Sequence, residues 1–303
     1  MAQITPPAAV LTAAPRLMSA RYGDRTAVSL AFLVVLWLSL AFGVIVLAIL
    51  LVSTFIDAIP RLDSNLLTRY TSQVFPERAG ARASILGSAW VVGTTALLAV
   101  PVGVAAAVYL EEFASKTNRF ARIVELNVQN LAAVPAIIYG LLTAGLVVTV
   151  GIKRNSVLSG AIALALLVMP VIIVTTREAL RAVPSEIRHA SLALGASPMQ
   201  TMWRQTLPTA VPGVATGTIL ALSRALGEAA PLLLLGGLVF VTYDPDGLLS
   251  GFSTLPIQIF DWSGRSQLAF QQVASAAIIV LLALLLIMNA LAIVIRNRYQ
   301  RRW

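Results

Sequence analysis

The chain has 303 residues, 58% of them hydrophobic, with a mean hydropathy of +0.86, a net charge of +9 and no cysteine. That much apolar surface exceeds what a soluble core hides, so the solvent for this chain is a bilayer. The composition excludes disulfides and iron–sulfur clusters, and a single histidine, His189, excludes an HExxH metal site. Neither lysine, Lys116 or Lys153, completes a GxxxxGK(S/T) nucleotide-binding loop. The basic residues fall between apolar runs, which fits orientation in a membrane and not nucleic-acid binding.

In chain order, residues 1–25 lack an amphipathic pattern and a signal-peptide core, and are expected as a cytoplasmic tail. A first transmembrane helix is predicted over 26–57 and an extracytoplasmic loop over 58–82. A transmembrane core follows over 83–297, then a cytoplasmic C-terminus over 298–303. Six spans are expected, since each needs about 20 apolar residues and an exposed backbone must be helical in lipid. Their windows are Thr26–Ile56, Ala83–Leu110, Leu126–Ile152, Asn155–Thr176, the stretch between Arg204 and Asp244, and Ser266–Ile295. With both termini in the cytoplasm, fourteen Lys/Arg fall inside and seven outside, the bias membrane insertion favours. Pro101 is expected to kink the second span. Pro135 is expected to break the third and to leave backbone groups for an interior cavity.

Between spans four and five, residues 178–209 are too polar for the bilayer. Pro184-Ser185 suits a helix start and Glu186 its first turn, with Ile187, Ala190 and Leu194 on one apolar face. Gly195 suits a helix stop. Ser197-Pro198 then reads as the start of a second short helix, lined on one side by Met199, Met202, Trp203 and Thr206 and ended by Pro208. A helix–glycine–helix of this length is more than a connector, and it is read as a docking element for a partner.

The fifth span carries two charges. Arg224 and Glu228 stand at i, i+4, where their side chains meet on one helix face, with Gly217, Ala221 and Pro231 near it and Ser223 turned away. An arginine at depth must face protein or water and have a partner. Spacing alone leaves two readings open: a charge pair that fixes packing, and an anion site in which the guanidinium fork meets an oxyanion.

The run His189-Ala190-Ser191-Leu192-Ala193-Leu194-Gly195-Ala196, followed by Leu207-Pro208, resembles the EAA loop of ABC importer permeases, with His189 where that pattern has glutamate and Ser191 where it has its second alanine. Together with VPVGVAAAVYLEEF in span two, LAAVPAIIYGLL in span three and SRALGEAAPLLLL in span five, it is similar to the PstA-type permeases of bacterial phosphate (Pst) ABC importers. The likeness runs from about Ile85 to Ile295. It implies an all-α integral membrane protein with six transmembrane helices, a type I (MetI-like) ABC importer permease core and a cytoplasmic coupling-helix loop. It further implies inward movement of inorganic phosphate by alternating access, with no bond-breaking step on this chain. Implied partners are a PstC-like second permease, two PstB-like ATPases that hold ATP and Mg, and a PstS-like external phosphate-binding protein, in a bacterial cytoplasmic membrane. No cofactor is expected on this chain itself. Arg224, Glu228, Pro135 and Tyr139 are expected on the substrate pathway. Glu186, His189, Ala190, Leu194, Gly195, Ala196, Leu207 and Pro208 are expected at the ATPase contact. The alternatives are a permease for sulfate, molybdate or phosphonate, and a proton-coupled anion carrier with Glu228 as its proton site. No GxSxG motif favours a hydrolase.

Overall fold

Uninterrupted apolar runs are helical here, as lipid demands of a backbone that finds no water to bond. The computed structural model describes residues 26–114 and 119–299. The tail expected over 1–25 and the last four residues of the C-terminal segment expected over 298–303 lie outside them. The chain divides into two units, residues 1–53 and 54–303. The first unit carries most of α1 (Thr26–Ala58), a 33-residue helix long enough to cross a bilayer.

The second unit opens with a short turn and α2 (Ser64–Thr68), whose N-cap Asp63 accepts the Leu66 N–H. α3 (Arg82–Val108) runs on through a π-helical turn, Tyr109–Phe113. α4 (Arg119–Ala132), α5 (Ala136–Thr149) and α6 (Val157–Arg181) follow. Next come α7 (Ser185–Ala193), α8 (Pro198–Thr201), a second π-helical turn at Met202–Thr206 and α9 (Leu207–Gly227). The chain ends through α10 (Ala230–Leu234), α11 (Leu255–Ser263) and α12 (Leu268–Tyr299). Among the described residues, five helical stretches are long and apolar enough to cross a membrane, six if α4 and α5 count as one span. The chain is a multi-pass membrane protein.

The most buried span is α6. Its Leu164, Val168 and Ile172 share one apolar cluster with Val91 and Ala99 of α3, Tyr139 of α5, Ala221 and Ala225 of α9, and Leu232 of α10. Lipid tails are as apolar as leucine, so close approach and dispersion hold such helices, not expulsion from water. A Cβ on Gly103 of α3 would stand 2.8 Å from the Ile172 side chain of α6, and Gly217 likewise brings α9 against Thr175. At the end remote from α7, Trp262, Phe270 and Leu66 form a second cluster under α11.

The third span breaks as expected, with α4 and α5 meeting at 111°, while two other expectations are corrected by the structure. α5 has 14 residues, about 21 Å of helix, which is short of a bilayer core of about 30 Å. The break at Pro135 is where the sequence puts it. The second loop helix does not end at Pro208. It runs from Pro198 to Gly227 as one stretch, because the π-helical turn beside Pro208 absorbs the proline's missing N–H. The fifth span does not continue towards Asp244. It stops at Gly227, since Pro231 cannot donate a hydrogen bond to the Gly227 carbonyl and crowds it. Pro101, by contrast, sits inside an unbroken α3.

Candidate functional site

Two broken spans lie side by side. In the first, Pro135 caps α5 after the bend, and the Tyr139 hydroxyl donates across it to the Leu131 carbonyl at 2.7 Å. In the second, α9 ends at Gly227 and Glu228 turns into extended backbone, φ −83° and ψ 122°. Val134 and Ala136 of the first break pack on the same cluster as Ala225 and Leu232 of the second. Gly140 closes the contact. A Cβ there would stand 2.6 Å from the Pro231 carbonyl oxygen and 2.7 Å from its Cα, both unyielding backbone.

Arg224 is in the last turn of α9, and its side chain is 57% exposed. Glu228 lies beyond the helix end, so the pair does not share one helix face as the spacing predicts. The Nε and Oε1 atoms still come within 3.5 Å, with Glu228 23% exposed. Among the described residues this is the one ion pair Arg224 makes. Ser223 points away, into a 3.1 Å hydrogen bond with Asn289 of α12.

The coupling segment is built around Gly195. Its φ of +84° is left-handed, where a Cβ costs about 1 kcal/mol or more, and its N–H donates to Leu192 while Ala196 N–H reaches back to Ser191. This stop turns the chain sharply and leaves Leu194 90% exposed. The expected single apolar face is therefore split. Ile187 packs inward with Leu180, Val183 and Met202, while Leu192, Leu194, Met199 and Trp203 face outward. Glu186, His189 and Ala190 are exposed on α7. Leu207 packs on the inner cluster, and Pro208 is exposed in the first turn of α9. On the second helix, Met202 and Thr206 are buried, while the Trp203 indole donates to the Met199 sulfur.

Residues 99–302 match the model of the family described as binding-protein-dependent transport system inner membrane component. The chain belongs to that family. It is 34% identical, over 76% of its own length and 75% of the relative's, to the phosphate transport system permease protein PstA 1 of Mycobacterium tuberculosis (strain CDC 1551 / Oshkosh). It is 31% identical to PstA of Yersinia pestis over 85% and 86% of the two chains, and 36% identical to PstA of Haemophilus influenzae over 65% and 69%. Among solved structures, the bacterial alginate ABC transporter in complex with its pentasaccharide-bound periplasmic protein superposes with a TM-score of 0.62 at 16% identity, covering 92% of this chain and 99% of that one. An inward-facing methionine transporter, MetNI, gives 0.57 at 21%, covering 72% and 97%. At such identities these two likenesses concern the fold.

One feature of this binding-protein-dependent permease is not legible from motif spacing. Glu111 and Glu112 sit in the π-helical turn that ends α3. Glu111 accepts from Arg177 at 3.1 Å and from Arg181 at 2.8 Å, both on α6, and Arg177 also reaches Glu125 of α4 at 2.9 Å. Glu112 accepts from Arg188 of α7 at 2.7 Å, and the same Arg188 nitrogen lies 2.8 Å from the Leu180 carbonyl at the end of α6. A trace of this is present in the sequence. Two arginines one turn apart, Arg177 and Arg181, repel unless acids from elsewhere lie against them.

Proposed function

We propose that this chain is the permease subunit through which an ATP-driven importer moves inorganic phosphate inward. The reading rests on one observation above all, the state of Arg224. An arginine within a membrane span faces protein or water and needs a partner. Here the group is exposed, at a break in the backbone, with one partner at 3.5 Å. That leaves the planar fork open to a tetrahedral oxyanion, which it fits in bidentate geometry. Glu228 orients the guanidinium and competes with the anion, so occupancy is brief, as conduction requires. Pro135 and Tyr139 shape the neighbouring bend along the same pathway. Phosphate, among oxyanions, is favoured by the PstA relatives.

The outward Leu192, Leu194, Met199 and Trp203, with Glu186, His189 and Ala190 beside them, are the surface offered to an ATPase. Gly195, Ala196, Leu207 and Pro208 set the angle between that surface and α9. The working assembly is a heterodimer with a PstC-like permease, two PstB-like ATPases carrying ATP and Mg, and a PstS-like binding protein outside. Both termini of this chain face the cytoplasm, and the chain itself holds no cofactor. Closure of the ATPases moves α7 and opens the pathway outward to the loaded binding protein, and hydrolysis resets it.

The test is uptake of radiolabelled phosphate into vesicles holding the whole complex. Uptake should require ATP and withstand excess sulfate, molybdate or phosphonate. Displacement by sulfate or molybdate at equal concentration overturns the anion assignment. Uptake that needs a proton gradient and no ATPase overturns the importer reading.

A further inference from the structure

We infer that the Arg188–Glu112 contact is a strut that makes α3 move with α7, so that these two are positioning residues for transport. The inference rests on the reading that α7 receives the ATPase.

The covalent chain ties α7 only to α6, through Ala182-Val183-Pro184, and to α8, through Gly195. Nothing in the sequence order connects it to α3, whose end is 76 residues from Arg188. The side chains make that connection. Arg188 lies one turn into α7 and reaches Glu112 at 2.7 Å, with side-chain exposures of 27% and 16%. The same nitrogen also donates to the Leu180 carbonyl, which accepts the Val183 N–H as well, so the guanidinium is held at once to the ends of α3 and α6. The adjacent carboxylate, Glu111, divides its two oxygens between Arg177 and Arg181. One glutamate of the pair thus belongs to α6 and the other to α7.

Consecutive residues of a helix point about 100° apart, so adjacent glutamates in the turn that ends α3 can serve two different helices. α3 in turn packs along α6 and reaches the common apolar cluster through Val91 and Ala99. A displacement of α7 reaches the two broken spans by covalent routes, through Gly195 into α9 and through Ala182-Val183-Pro184 into α6, and by a side-chain route through Arg188, Glu112 and α3. Without the last, α3 would follow α7 only through its packing on α6.

The experiment uses the whole complex in vesicles and reads phosphate taken up per ATP hydrolysed. Glu112→Gln is close to isosteric and keeps an acceptor, and Arg188→Gln removes the charge from the other side. Each should lower the ratio by about fivefold or more, the low end of coupling effects between sites. The double exchange Glu112→Arg with Arg188→Glu should recover most of it. Arg181→Gln breaks a contact between α3 and α6 alone, at an arginine 55% exposed, and should leave the ratio within about twofold. An unchanged ratio in both single variants overturns the strut. So does an equal fall in Arg181→Gln, no recovery in the exchange, or failure of Glu112→Gln to assemble. If the wild-type complex itself shows no ATP-driven phosphate uptake, the function proposed above fails instead, and the two failures are told apart by that control.

Discussion

Arginines at the two ends of this permease are held in opposite ways. Near α7, Arg177 meets two carboxylates at 2.9 and 3.1 Å and Arg188 meets one at 2.7 Å, both with most of the side chain covered, while the more open Arg181 meets Glu111 at 2.8 Å. At the break after α9, Arg224 has one carboxylate at 3.5 Å and more than half of its side chain open. A cation that serves structure is held close to its carboxylate, because breaking a buried pair leaves an uncompensated charge. A cation that serves a passing anion must keep donors unspent. On the function proposed for Arg224, the contrast is that between a framework and a pathway.

The largest effect is expected at Leu194. Replacing it with Asp puts a charge into the proposed docking surface and should abolish co-purification of the ATPase, since a central hot spot is worth about 2 kcal/mol or more. Retention of the ATPase at wild-type stoichiometry would remove α7 from the interface. Next is Gly140→Val, which drives two branched carbons into the Pro231 backbone. Overpacking of this kind costs about 1–3 kcal/mol, and thermal unfolding in detergent should report it as a lowered Tm. An unshifted Tm would mean the two breaks are not locked together. Gly195→Ala should cost about 1 kcal/mol through its positive φ, read by the same scan, with Gly195→Asn milder. Smallest is Glu228→Gln. The pair is long and half in the open, so stability should hardly change, and ATP-driven uptake should persist with altered phosphate affinity. Complete loss of uptake would favour the proton carrier.

Much of the scaffold could be read from the chain because lipid imposes length and apolarity on every span. The Gly195 stop was equally readable, since only a left-handed position ends a helix that way. Prolines were not. Pro101, Pro170 and Pro212 lie inside helices, while Pro135 and Pro231 accompany breaks. The residue is the same and its surroundings decide, through bonds such as Tyr139 to Leu131 and Thr216 to the Pro212 carbonyl. Pro208 misleads for a related reason, as a π-helical turn carries the helix past it. The Arg224–Glu228 pairing was legible from spacing, but its geometry was not, because the helix ends between the two. The Glu111, Glu112 and Glu125 contacts join residues 52 to 76 positions apart, and no local pattern specifies such partners.

The most direct test of the central claim is ATP-dependent uptake of radiolabelled phosphate by the reconstituted complex, wild type against Arg224→Gln. Loss of a charge-assisted contact predicts a fall of about 10- to 100-fold in uptake while assembly and ATP hydrolysis are kept. Unchanged uptake would contradict the account: Arg224 and Glu228 would then be packing, and the anion site would have to be sought at the bend near Pro135 and Tyr139.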